Sequence, residues 1–139
     1  VRHLRTFVID SISAVTGEMR GHIVVTGSHG GVSAAHLALA HPPALVVFND
    51  AGVGLDDAGI RSLDILNAHG VAACTVGHLS ACIGEADSTL RTGRISYANS
   101  RATASGIAAG QTCIDAINFF MKPLLDEGSA ANNQKVDKH

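Results

Sequence analysis

Tryptophan is absent from this chain of 139 residues, tyrosine occurs once, and aromatic residues make up only 4%. The core must therefore come from Ala, Val, Ile and Leu, which pack elements closely but bury little area per residue. Small domains of that kind gain burial by associating, so a homo-oligomer is expected. Charge is also scarce. Ten basic residues against twelve acidic give a net charge of −2, with no basic run. Binding to nucleic acid normally needs a positive footprint, so none is expected. No apolar stretch approaches the ~20 residues that cross a bilayer, and no membrane partner is expected either. The opening VRHLRTFVID has no long apolar run followed by a small-residue cleavage site, so no retained signal peptide is expected. Three cysteines, Cys74, Cys82 and Cys113, are an odd number without CxxC spacing. That is neither a disulfide framework nor a zinc site, and it fits a reducing cytoplasm.

What remains is a chain 46% hydrophobic, long enough for one domain with a real core and too short for two. Residues 1–127 read as a single α/β domain and 128–139 as a flexible polar tail. His22 to Thr26, Ala44 to Phe48 and Val71 to Val76 are short, nearly all-apolar runs that read as buried strands. Between them lie helical patterns. One runs from Val32 to Ala40 and stops at Pro42 and Pro43. In the next, Asp56 or Asp57 is expected to cap, Ile60, Leu63 and Leu66 share a face, and Gly70 closes the end. Strand, helix, strand, helix, strand implies a three-layer, Rossmann-like domain with a small, mostly parallel sheet over 22–27, 44–48 and 71–76. Thr6 to Ile9 and 94–97 are further candidate strands. A helix is expected within Ala108 to Met121, with Gly106 and Gly110 breaking any continuation from residue 100.

In such sheets ligands bind outside the carboxyl ends of the strands, where the strand order reverses. The three ends read Gly27-Ser28-His29-Gly30-Gly31, Asn49-Asp50-Ala51-Gly52 and Gly77-His78-Leu79-Ser80. Each sets a titratable or hydrogen-bonding group beside glycine. GSHGG has the glycine spacing of a nucleophile elbow but with His29 at its centre. It is loosely similar to the glycine-rich stretch of universal stress proteins, whose further glycines and Ser or Thr are missing here. Ser28, His29, Asp50 and His78 are the expected catalytic groups. Imidazole suits proton transfer near neutral pH, Asp50 would orient it, and the N–H groups of Gly30 and Gly31 would hold a developing oxyanion. Asn49, Gly52, Ser80 and Asn99 are expected substrate contacts, the last carried by a polar 79–107 segment that reads as a lid, an inter-subunit arm or a plain connection. Each of these residues also has a purely structural reading, as turn, cap or core group.

The function expected is a cofactor-independent hydrolase, lyase or isomerase acting on a small polar or carboxylated metabolite. The competing reading is a binding module for an anion or nucleotide, without turnover. No cofactor is expected, with a divalent metal on His29, Asp50 and His78 as the minor alternative.

Overall fold

The computed structural model describes residues 3–122; the expected tail at 128–139 lies outside them. Five strands form one sheet: β1 (Thr6–Ile9), β2 (Ile23–His29), β3 (Leu45–Asn49), β4 (Ala72–Val76) and β5 (Ile95–Ala98). The first four are parallel and in sequential order, and β5 adds antiparallel to β4. Every residue of β3 and β4 is buried, which is why these strands carry no polar alternation: helices cover both faces.

Alternate strand residues feed two cores. Val24, Val46, Phe48 and Ala73 pack with α1 (Val32–Leu39) and α2 (Arg61–Ala68) through Ala34, Ala35, Ala38, Leu63 and Leu66. Ile23, Val25, Leu45, Val47, Cys74 and Val76 face the opposite layer. That layer holds α3 (Ala86–Thr92), α4 (Ser100–Ala104) and a helix over 113–122. Gly106 and Gly110 separate the last two at φ +100° and +94°, a conformation that glycine adopts without steric cost. The 79–107 segment builds the second layer and the antiparallel edge.

One local expectation is corrected. Asp56 and Asp57 do not cap α2. They lie within the 3-10 segment Leu55–Ile60 at φ 54° and 58°, and Ile60 occupies the cap position without a side-chain bond. The strand order, which the sequence leaves open between sequential and reversed, is sequential from β1 to β4, with α1 and α2 on the same face. No switch-point crevice opens there. The carboxyl-end depression is formed instead by the chain that leaves β4, which crosses the sheet edge to place α3 on the far face of β2. Gly27 permits that crossing: a Cβ there would stand 2.2 Å from Glu85 N.

Candidate active site

Sequential order puts the end of β3 between those of β2 and β4, so Asp50 is the central group. Its residue is 5% exposed, and a buried carboxylate needs partners. Oδ1 accepts the Gly52 N–H at 2.8 Å and the His78 N–H at 3.1 Å. The same oxygen lies 3.5 Å from His78 Nδ1, an ion-pair approach longer than a good hydrogen bond. The His78 side chain is 50% exposed and that of Asp50 only 6%. A carboxylate beside Nδ1 favours the proton on that nitrogen and leaves Nε2 as the acceptor. Gly52, at φ +79°, lies beneath the ring, and a Cβ there would be 3.6 Å from its Cε1, Nδ1 and Nε2 atoms. Gly52 therefore holds the Asp50 carboxylate through its N–H, and its positive φ shapes the turn beneath the ring.

Asn49 ties the two strand-end loops together. It is fully buried. Its Oδ1 accepts the Ala51 N–H at 2.8 Å, and its Nδ2 donates to Ala81 O at 3.2 Å. Ala81 belongs to the crossing chain after β4. A pocket of about 490 Å³ opens there, with Ala51, His78, Leu79, Cys82, Ile83 and Thr92 among its walls. This is within the roughly 300–1,000 Å³ of small-molecule sites. Ser80 also lines it, but its hydroxyl donates to Gly77 O at 2.7 Å and accepts the Arg94 N–H at 2.9 Å.

The groups at the end of β2 are not drawn into this cluster. After Val25 the strand leaves register with β3 and regains it only at the pair His29–Asn49. Thr26 Oγ1 donates to Val47 O at 2.9 Å across this bulge and accepts the Ser28 N–H. The His29 ring folds back over Gly31, where a Cβ would sit 3.0 Å from Nε2. Among the described residues the ring takes part in no hydrogen bond or ion pair. Ser28 Oγ accepts the Ile12 N–H at 2.9 Å, on the side of β1. Gly30 donates its N–H to Asn49 O and accepts the Ser62 N–H. A Cβ on Gly30 would lie 2.6 Å from Gly59 O, so this glycine admits the chain after β3. Among the described residues no three His, Cys, Asp or Glu side chains assemble as a metal-holding group.

Asn99 is at the other end of the molecule. It caps α4 by accepting the Ala102 N–H and also accepts the Ala73 N–H. Its Nδ2 donates to Leu63 O and Val71 O. Those partners mark the amino end of β4, so Asn99 does not complete the carboxyl-end site. It borders a groove of about 500 Å³ beside α2 and β5 in which, among the described residues, there is neither histidine nor cysteine.

Leu79, Ile83 and Thr92 were not among the residues expected at the site. A leucine set directly after a strand-end histidine, in a glycine-bounded turn, was the available signal. Asp10 was also missed. It follows β1 as Asp50 follows β3, and its Oδ1 accepts the Ala86 N–H at 3.0 Å, anchoring the start of α3. Two thiols stand apart from the site. Burial, and then Cys113, push the Cys74 thiol far up, and burial alone raises Cys113 to about 12. Cys82 is exposed. No family model, curated protein or solved structure matches the chain.

Proposed function

We propose that the chain is a cofactor-independent enzyme, of hydrolase, lyase or isomerase type, that acts on a small metabolite by general acid–base chemistry at His78. The observation behind this reading is the buried Asp50 carboxylate set against a half-exposed imidazole at the wall of a pocket. In the proposed step Nε2 removes a proton from the substrate or from an attacking water. The imidazolium so formed is stabilised by the Asp50 charge 3.5 Å away and returns the proton to the leaving or rearranged group. Asp50 positions the ring and does not touch the substrate. Asn49 and Gly52 hold the two loops that carry the pair.

The test is a panel of small esters, lactones, amides and hydroxy acids incubated with the protein and followed by proton NMR. Turnover by the wild type, reduced about 10²- to 10⁴-fold in His78→Ala with an unchanged circular dichroism spectrum, supports the reading. A ligand that binds but is recovered unchanged, or turnover that survives His78→Ala, contradicts it.

A further inference from the structure

The walls of the pocket beside His78 carry information about what enters it. Leu79 is 91% exposed and Ile83 54% exposed, two large aliphatic side chains left in water at one site. Ala51 and Ala81 extend the same lining. Three hydroxyl groups are present: Ser80 donates to Gly77 O, Thr92 donates to Ser80 O at 2.6 Å, and Ser88 Oγ accepts the Cys82 N–H at 2.8 Å. Among the described residues no Lys, Arg, Asp or Glu lines this pocket. A carboxylate or phosphate entering it would lose hydration and meet no permanently charged Lys or Arg. An aliphatic group would cover Leu79 and Ile83 at no such cost.

We propose that this pocket receives an uncharged aliphatic portion of the substrate, an alkyl or short acyl chain, while the reacting polar atom faces His78. The proposal rests on the acid–base reading for the identity of that reacting end. It narrows the substrate from metabolites in general to neutral compounds bearing an aliphatic arm.

Cys82 supplies a readout that needs no turnover. It lines the pocket and is exposed, whereas Cys74 and Cys113 are buried. Methanethiosulfonates react with a thiolate to form a mixed disulfide and release methanesulfinate, so the modification is measured by mass. Methyl, propyl and pentyl reagents are compared with sulfonatoethyl and trimethylammonioethyl reagents, each rate divided by that of the urea-unfolded chain. The expected result is acceleration of about two- to fourfold per added methylene, with both charged reagents slower than propyl. Leu79→Ser and Ile83→Ser, at exposed positions that the fold does not need, should flatten the series. Rates independent of chain length, charged reagents as fast as propyl, or an unflattened series in both variants would overturn the proposal. A chain-length series that stands while the metabolite panel shows no turnover would sink the acid–base reading alone. A flat series alongside turnover would sink the aliphatic pocket alone.

Discussion

Asp50 and His78 are joined twice through one oxygen: Oδ1 accepts the histidine's backbone N–H at 3.1 Å and lies 3.5 Å from its ring Nδ1. The backbone bond fixes where the residue begins, and the ring contact biases which nitrogen is protonated. The two contributions can be separated. Asp50→Asn keeps an oxygen to accept the Gly52 and His78 N–H groups but removes the charge. Turnover should fall about 10²-fold or more, while the chemical-denaturation midpoint changes little. Equal losses of turnover and stability would show that Asp50 is only a turn residue.

Asn99 provides the opposite case, a buried polar residue remote from the chemistry. Asn99→Ala leaves two backbone carbonyls and two N–H groups without their partner. It should lower stability by about 3 kcal/mol or more, from lost capping and orphaned polar groups. The folded fraction should retain the wild-type kcat, measured below the unfolding transition.

The strands were legible because full burial on both faces leaves nearly uninterrupted apolar runs at 23–25, 45–48 and 72–76. Their parallel pairing followed from the intervening helices. Strand order was not legible, since sequential and reversed orders place identical demands on those runs. The Asp56 and Asp57 error has a local cause. Aspartate before an apolar-periodic segment is a capping signal, but both residues sit in the left-handed region, which aspartate tolerates better than most side chains. At the site, Asp50 and His78 were legible from their position just beyond buried strands. The separation of His29 was not, because it depends on the Thr26 bulge, and nothing in a string of residues marks where a ladder skips. Asn99 was misplaced because polarity in a connecting segment does not reveal which end of the sheet the segment serves. Its position just before Ser100-Arg-Ala was the unused capping signal.

Gly27 tests the route of the crossing chain. Gly27→Ala would drive a Cβ to 2.2 Å from the backbone nitrogen of Glu85, where no side-chain rotation can relieve the contact. A loss of about 3 kcal/mol or more is expected, read by urea denaturation. Gly21→Ala, with open space around it but φ +76°, should cost about 1 kcal/mol. Similar costs at the two positions would argue against the close approach of the chain to β2.

The buried thiols predict alkaline behaviour. In the unfolded chain a thiol ionises near ~8.5, whereas burial raises Cys113 to about 12 and Cys74 further. Below the unfolded value both states hold the proton and the stability is fully present. Above it only the unfolded state ionises, so stability falls with rising pH by about 1.4 kcal/mol per unit for each thiol. Urea midpoints between pH 8 and 11 should decline less steeply in Cys113→Ala than in the wild type. Parallel slopes would show that Cys113 is not protected as described.

The acid–base reading depends most directly on which nitrogen of His78 faces outward as a base. With ¹⁵N-labelled histidine, and His78→Gln to assign the signal, two-bond ¹H–¹⁵N correlation of the neutral ring distinguishes the tautomers. A proton on Nδ1 and a bare Nε2 is the expected result, shifting toward the other tautomer in Asp50→Asn. A proton on Nε2 with Nδ1 bare in the wild type would mean that Asp50 does not orient the ring, and the proposed base would not exist.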